Sequence, residues 1–380
     1  MIVHIVDAEK FLNKTIEIFE SIFPNQNYFL VGVEEGEGSY NKKEELIKLT
    51  SIEFVEINRK DYYEKFHHNV DQNTLVIFHN LYKTYKLKLI ANIQAKIKIA
   101  WYFWGAELYG LNPKINNLLP LTQRVYFKNL PFWTYIKKKV FSQLKKQYYW
   151  DLFKKALKDK VDYTITNVTE DIDLLDEFTE NNSKRGWFTY YSSDMNRELE
   201  RGSSKKINIL IGNSSSETNN HFDAFQLFNE KNIQGKKIYI PLSYGDNKYR
   251  ELVIKEADFI FGEKAEPLVD FLSTKEYSKI IDSCSVLIMN HKRQQAYNTI
   301  MIAIANGCKV YLREENTIFK LLKREGFYVY SIQSDWSKST EIEMLDIKIQ
   351  EYNRELIRKL YSTNVVRSRI KAQVLEIFNE

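Results

Sequence analysis

The chain has 380 residues, 55 Lys+Arg against 50 Asp+Glu, a net charge of +5 and 44% hydrophobic residues. A high apolar fraction on a nearly neutral chain excludes intrinsic disorder, and 13 Gly, 6 Pro and no repeat period exclude a fibrous or low-complexity protein. The length suits two domains, and the longest apolar runs, such as 286–289 and 300–305, fall far short of the roughly 18 residues that a membrane span needs.

Met1-Ile2-Val3-His4-Ile5-Val6-Asp7 has no basic n-region and no small-residue cleavage site, so it reads as a first strand and not as a secretion signal. Further runs rich in β-branched and aromatic residues follow at 28–33, 54–57, 74–78, 98–103 and 162–166. Amphipathic stretches such as 8–22 and 81–94 separate them, which predicts βαβ units and a parallel sheet. Residues 184–206 are polar and carry Gly186, Gly202 and paired serines, so they read as an interdomain connection. The alternation restarts with strands expected at 207–211, 237–240, 259–261, 286–289, 309–312 and 328–332. Residues from about 337 to 380 read as charged helices. The expected fold class is α/β, two doubly wound units whose ligands bind at the carboxyl ends of the strands. One large α/β domain is the alternative. Cys284 and Cys308 lie in apolar, strand-like surroundings and make neither a disulfide framework nor a four-ligand zinc site, so a reducing cytoplasm is the simplest compartment.

Three expected strand ends in the second half carry chemistry. After 207–211 comes Gly212-Asn213-Ser214-Ser215-Ser216-Glu217-Thr218-Asn219-Asn220-His221, with a helix expected to begin near His221. Glycine lets the backbone approach a ligand closely and a helix N-terminus offers free N–H groups, so this loop reads as a diphosphate cradle. An ordinary capped β–α loop is the plain alternative. The strand at 286–289 ends in Asn290-His291-Lys292-Arg293-Gln294-Gln295, where Arg293 can pair bidentately with phosphate oxygens. The strand at 309–312 ends in Arg313-Glu314-Glu315-Asn316. In the first half, His79-Asn80 ends one strand, and Trp104-Gly105-Ala106-Glu107-Leu108-Tyr109 follows another. A Glu107 facing a cleft would serve as a general base.

Aromatic residues make up 14% of the chain and concentrate over 126–153. Between Trp133 and Lys160 nine lysines stand against two acidic residues. On a helical wheel Ile136, Val140, Phe141, Leu144 and Tyr148 share one face, while Lys138, Lys139, Lys145 and Lys146 take the other. That pattern suits a helix lying in a membrane interface, with Trp133 and Phe141 as apolar contacts. A solvated helix is the plain alternative, and no DNA or RNA motif accompanies the charge. Asp171-Ile172-Asp173 has the Asp-x-Asp form of metal-dependent sugar transferases, but it follows Thr166-Asn167-Val168-Thr169-Glu170 and fits the first turn of a capped helix. His67-His68 has no acidic ligand at useful spacing, so zinc is not expected.

Gly212-Asn213-Ser214, Asn219-Asn220-His221, Pro241-Leu242-Ser243-Tyr244, Arg293-Gln294-Gln295 and Arg313-Glu314-Glu315-Asn316 together resemble the TDP-N-acetylfucosamine:lipid II N-acetylfucosaminyltransferase family, glycosyltransferase family 56. Trp104-Gly105-Ala106-Glu107-Leu108-Tyr109 resembles that family's Trp-Gly-Gly-Asp-Leu-Tyr segment, and the resemblance spans roughly residues 74–335. It implies a GT-B architecture of two Rossmann-like domains facing a cleft. An acceptor domain would span 1–190, with the basic aromatic segment at 126–160, and a nucleotide-sugar domain 205–340. Helices over 341–380 would pack back toward the first. It also implies that no metal or other cofactor is needed. By position, Gly212, Asn213, Ser214, Asn219, Asn220, His221, Tyr244, Asn290, Arg293, Gln294, Gln295, Glu315 and Asn316 would bind donor diphosphate, sugar or nucleoside. Glu107 takes the place of the family's acidic residue and, with His79, is the catalytic candidate. The chain departs where the family continues Gly-Ile-Gly and this sequence has Ala296-Tyr297-Asn298, and where a family Pro is replaced by Thr317. The expected partners are a nucleotide-sugar donor, a lipid-linked saccharide acceptor and an anionic membrane surface, at the inner face of the cell membrane. A non-catalytic nucleotide-sugar- or glycan-binding protein on the same shell is the rival expectation.

Overall fold

The β-branched runs assemble into two parallel sheets in the computed structural model, which describes residues 1–9, 11–34, 51–57, 60–93, 96–136, 142–192, 206–338 and 340–380. The chain divides into two units. One holds Met1–Ile115, Val140–Tyr190 and Thr363–Glu380, the other Asn116–Lys139 and Tyr191–Ser362.

The first unit contains strands β1 (Ile2–Asp7), β2 (Asn27–Val33), β3 (Ile52–Glu56), β4 (Leu75–His79), β5 (Lys98–Tyr102), β6 (Tyr163–Ile165) and β7 (Lys184–Gly186), in the order β3-β2-β1-β4-β5-β6-β7. β1 pairs with β2 on one side and β4 on the other, so the winding reverses beside it. Period-two alternation sends Val3 and Ile5 to one core and Ile2 and Val6 to the other. Helices Lys60–His68, Thr84–Ala91 and Ser142–Lys160 cover the first of these through Phe66, Leu89 and Phe153. Helices Leu12–Ile22 and Thr363–Asn379 cover the second through Phe19 and Ile370.

The second unit contains β8 (Asn208–Ile211), β9 (Ile238–Pro241), β10 (Ala265–Leu268), β11 (Cys284–Met289), β12 (Lys309–Leu312) and β13 (Tyr330–Ser331), in the order β10-β9-β8-β11-β12-β13. Here the reversal falls beside β8, which pairs with β9 and β11. Ile209, Ile211, Ile240 and Ile288 pack on Phe225 of helix His221–Gln226, Val253 of helix Asn247–Phe261 and Tyr126 of helix Pro120–Lys128. Helices Tyr297–Ala305 and Ile347–Tyr361 pack on each other.

Several elements differ from the sequence reading. Residues 259–261, expected as a strand, are the last turn of the helix Asn247–Phe261, which Gly262 ends at φ +56°. The strand itself is β10, Ala-Glu-Pro-Leu, half-buried at the edge of its sheet. β7 pairs with β6 inside what reads as a linker. Residues 116–139, expected with the first domain, belong to the second unit. Of residues 341–380, expected to pack back toward the first domain, 363–380 belong to the first unit as expected and 341–362 to the second. Among the described residues no helix is long and apolar enough to cross a membrane.

Candidate active site

In the second unit the loops that leave β8, β11 and β12 are joined by side-chain hydrogen bonds. Gly212 ends β8 at φ +73°, and a Cβ there would lie 2.8 Å from His221 Nε2 and 2.9 Å from Asn219 Oδ1. Only glycine meets both demands, the left-handed backbone and the missing side chain. Gly212→Ala is expected to cost about 2 kcal/mol of stability, from left-handed strain plus the clash. Urea unfolding measures it.

Asn219 is the hub of this loop. Its Oδ1 accepts from the Asn213 N–H at 2.8 Å and from His291 Nε2 at 2.8 Å, while its Nδ2 donates to Ser214 Oγ and the Ser216 carbonyl, both at 3.0 Å. Asn220, left-handed at φ +54°, accepts from the Leu119 N–H and donates to the Asn117, Thr218 and Asn290 carbonyls. Asn290 Nδ2 returns a bond to the Asn220 carbonyl at 3.2 Å. Asn316 caps helix Thr317–Arg324 through the Ile318 N–H, and its Nδ2 holds the His291 and Arg293 carbonyls at 3.0 and 2.8 Å. These four asparagines are buried. Their bonding capacity is used within the protein, so they shape the loops and do not themselves reach a ligand.

The more open polar groups lie beside them. Gln295 Nε2 donates to Asn213 Oδ1 at 2.8 Å, Asn213 Nδ2 donates to Tyr244 OH at 2.9 Å, and Thr218 Oγ1 donates to Gln295 Oε1 at 2.9 Å. Arg293 Nε reaches Thr218 Oγ1 at 3.4 Å, and Arg293 and Gln294 are both partly exposed. Tyr244 is 48% exposed. The Ser214 N–H has no partner among the described residues, between an Asn213 N–H held by Asn219 and a Ser215 N–H held by the Tyr244 carbonyl. Glu315 Oε1 accepts from Arg313 Nε and its Oε2 from Gln333 Nε2, each at 2.6 Å. Arg313 also donates to Asn290 Oδ1 at 3.2 Å. The arrangement is a shelf of donors with the Arg293 guanidinium beside it at the carboxyl ends of β8 and β11, where the strand order reverses and doubly wound sheets hold ligands.

His221 and His291 lie under this shelf, fully buried. His221 Nδ1 meets Tyr249 OH at 3.2 Å, and burial pulls its pKa down to about 3. Burial, then the Arg293 charge and His221, hold His291 well below the ordinary histidine value. Neither His221 Nε2 nor His291 Nδ1 has a partner among the described residues. Thr218, His291 and Arg313 stand in the expected segments but had no role assigned to them. Their places in the sequence are visible, but the bonds that recruit them are not.

The first unit has its own buried cluster at the ends of β1 and β4. Lys86 Nζ donates to Asp7 Oδ2 at 2.6 Å and to the His79 carbonyl at 2.7 Å, and Tyr85 OH donates to Asp7 Oδ1 at 2.7 Å. Burial works against the Asp7 carboxylate, but the Lys86 and Lys83 charges outweigh it and hold its pKa below the usual value. Asn27 Oδ1 can only accept, so it fixes His4 Nε2 as a donor at 3.2 Å. With both rings neutral, His4 Nδ1 then accepts from His79 Nε2 at 3.0 Å and His79 Nδ1 accepts from Tyr190 OH at 2.5 Å. Both ring nitrogens of His79 are thereby engaged.

Glu107 is placed differently from its expected position facing a cleft. Gly105 at φ +83° turns the chain into the short helix Ala106–Leu111, and the Glu107 carboxyl is buried. Its Oε1 accepts from the Leu81 N–H at 2.7 Å and from Trp101 Nε1 at 3.0 Å, tying the β4 and β5 ends together. Burial raises its pKa, opposed by those donors. A general base must reach the hydroxyl it deprotonates. A carboxyl closed into the core holds structure in this conformation, and so does His79. Asp171 accepts from Tyr109 OH at 2.7 Å and sits with Asp173 in the first turn of helix Glu170–Asp176. Among the described residues no group of three or more His, Cys, Asp or Glu is placed to hold a metal ion.

The basic aromatic segment is only partly surface. Phe132 and Trp133, in the short helix Phe132–Ile136, are 67% and 78% exposed. In helix Ser142–Lys160, Leu144, Lys145 and Tyr148 are exposed and Lys146 is half-buried. Tyr126, Trp150 and Phe153, part of the same aromatic excess, are core residues. Lys138, Lys139 and Phe141 lie outside the described residues.

A family model described as 4-alpha-L-fucosyltransferase, glycosyl transferase group 56, matches residues 132–369. Among solved structures the chain is similar to sucrose-phosphate synthase from Thermosynechococcus elongatus, at 8% identity and a TM-score of 0.63, covering 100% of this chain and 99% of that one. It is similar also to Anabaena HepE in complex with UDP-glucose, at 10% identity and a TM-score of 0.62, covering 99% of each chain. A glycosyltransferase from Rickettsia africae matches at 13% identity and a TM-score of 0.59, covering 100% and 97%. At such identities the likeness is one of fold, the GT-B fold.

Proposed function

Because the chain belongs to the glycosyl transferase group 56 family, it is a glycosyltransferase, and we propose that it moves a deoxyamino sugar of the N-acetylfucosamine kind from a TDP- or UDP-sugar to a polyprenyl-diphosphate-linked saccharide. The observation that carries the donor half of this reading is the bonded shelf of Asn213, Thr218 and Gln295 beside Arg293. Its donors suit the two phosphates of a nucleotide-sugar, and a relative of the same fold was solved with UDP-glucose. In this reading the Ser214 N–H, Asn213, Tyr244, Arg293, Gln294 and Gln295 contact diphosphate or sugar, and Glu315 receives nucleoside hydroxyls. Gly212, Asn219, Asn220, His221, Asn290 and Asn316 hold those groups in place.

Transfer leaves a nucleoside diphosphate whose charge must be stabilised as the glycosidic bond breaks. The Arg293 guanidinium and backbone N–H groups supply that stabilisation, and the reading calls for no metal. A thermal-shift titration with TDP, UDP and their sugars is the test. A ligand at 100 times its Kd adds about 2.7 kcal/mol to native stability, a rise of several degrees in Tm. No shift with any nucleoside diphosphate or nucleotide-sugar would refute the reading.

The lipid-linked acceptor requires a membrane surface nearby. Exposed Trp133 and Phe132, and exposed Leu144, Lys145 and Tyr148, support such contact. Each lysine near an anionic leaflet contributes ~1 kcal/mol. Replacing Lys145 and Lys146 together with Gln is expected to lower partition onto anionic liposomes about tenfold or more at low salt. Equal sedimentation of both proteins would remove the lysines from the account.

A further inference from the structure

The second unit holds a cavity of about 230 Å³ that belongs to none of the donor loops. Its walls include Trp336, Tyr311, Tyr330, Lys309, Lys231 and Glu343. Val286 and Lys309, register partners on β11 and β12, also line it. Asn290 and Arg313, where the donor-side loops begin, each lie four residues further along their strands. At ~3.3 Å per residue that places the cavity roughly 13 Å from the donor shelf.

The cavity is lined by aromatic rings and by polar groups that bond to no other described residue. Tyr311 packs edge-on to Trp336 at 4.9 Å and beside Tyr330 at 5.6 Å. The Lys309 ammonium stands 5.6 Å from the Tyr311 ring centre and 4.8 Å from that of Tyr330. Tyr311 is 7% exposed, and among the described residues its hydroxyl has no hydrogen-bond partner. The Tyr330 hydroxyl, the Lys309 ammonium and the Glu343 carboxylate likewise have none among the described residues. The remaining charges are bonded within the protein: Lys231 Nζ donates to the Trp336 carbonyl, Lys338 pairs with Asp335, and Glu341 accepts from Asn232 Nδ2 at 3.2 Å.

This set specifies a ligand class. Three lysines and three carboxylates line the cavity and balance, which disfavours a strongly charged ligand. Two phenolic hydroxyls, an ammonium and a carboxylate offer both donors and acceptors at several points, which suits a neutral polyhydroxyl compound. Aromatic walls suit the flat C–H face of a sugar ring. The volume is below the ~300 Å³ at which drug-sized pockets begin, so it has room for one ring. We propose that this cavity binds a single pyranose unit of a glycan, at a site separate from the donor shelf and independent of the donor reading above. Bound there, a sugar residue would hold a saccharide chain on the second unit by a contact that takes no part in the chemistry.

Saturation-transfer difference NMR on the full chain tests it, with methyl α-L-fucoside, methyl N-acetyl-β-D-glucosaminide and methyl β-D-glucoside as probes and with or without excess UDP. At least one glycoside is expected to receive saturation at millimolar concentration, to keep it in the presence of UDP, and to bind at least fivefold more weakly to Lys309→Met and to Tyr311→Phe. Tyr330→Phe, at a less buried position, provides a third variant should either of these fold poorly. Loss of the signal on adding UDP would place the sugar on the donor shelf and overturn the proposal. So would glycoside binding unchanged in all three variants, no transfer to any glycoside at tens of millimolar, or uridine binding there in place of a sugar. A UDP that fails to bind would count against the donor reading and leave the variant comparison as the deciding measurement.

Discussion

Arg293→Ala is expected to lower turnover by ~10²–10³-fold, a loss of ~3–4 kcal/mol of transition-state stabilisation. The size follows from what the residue does in the donor reading. Negative charge grows on the leaving diphosphate as the sugar departs, and a fixed cation there is worth most when it does not have to move. Arg293 is fixed at its main chain by Asn316 Nδ2, 2.8 Å from its carbonyl, and at its side chain by Thr218. Arg293→Lys keeps the charge but loses the planar fork, so it should recover only part of the rate. The loss should fall mainly on kcat, since the interaction strengthens toward the transition state. Turnover within threefold of the parent, in an Arg293→Ala protein with an unchanged melting temperature, would end the assignment.

The same loop shows what a sequence can and cannot convey. That β8, β11 and β12 end in polar residues was legible, because each apolar run stops sharply at Gly212, Asn290 or Arg313. Which of those residues face outward was not. Asn213 and Asn219 are the same residue type in one loop, yet Asn213 is partly exposed and bonded to Gln295 while Asn219 is buried and saturated. The difference arises from the left-handed turns at Gly212 and Asn220 and from partners some 70 residues away, which local pattern does not encode.

Edge strands were the weak point of the fold reading, for a related reason. β10 carries Ala, Glu, Pro and Leu, with no β-branched residue, because one side of it has no neighbouring strand to demand them. Phe259-Ile260-Phe261 has the composition of a buried strand, but Phe259 is 86% exposed and Phe261 is core, as helical spacing requires. The aromatic surplus resolves in the same way. Trp150 and Phe153 close the first core and Tyr126 the second, which leaves Phe132, Trp133, Leu144 and Tyr148 as the exposed large hydrophobics among the described residues of 126–153. The crossing at 116–139 was not legible, since only tertiary packing decides which core a helix joins.

Acid is expected to destabilise both units well before ordinary acid denaturation. Four of the six histidines, His4, His79, His221 and His291, are buried. Burial lowers all four pKa values, to about 3 for His4 and His221. Protonation would strand a charge in the core and break the relay in which His4 and His79 each accept through one ring nitrogen. In the unfolded chain the same groups titrate near 6.5. With the folded pKa depressed, the stabilisation is fully present above about pH 6.5 and is lost as pH falls, because only the unfolded state takes up protons there. Each histidine then contributes a slope of ~1.4 kcal/mol per pH unit, or about 2 kcal/mol by pH 5. With two in each unit, the expected loss is about 4 kcal/mol per unit between pH 7 and 5. Glu107 acts in the opposite sense, since its raised pKa makes the native state the better proton binder, but it is one group against four. Urea unfolding from pH 8 to pH 5 should therefore show a plateau above about pH 6.5 and a steep fall below it. His221→Gln should make the fall of the second unit shallower by about one proton's slope. A stability unchanged from pH 7 to pH 5 would mean that these imidazoles reach solvent or carry their protons in the native state, and the relay would then have to be redrawn.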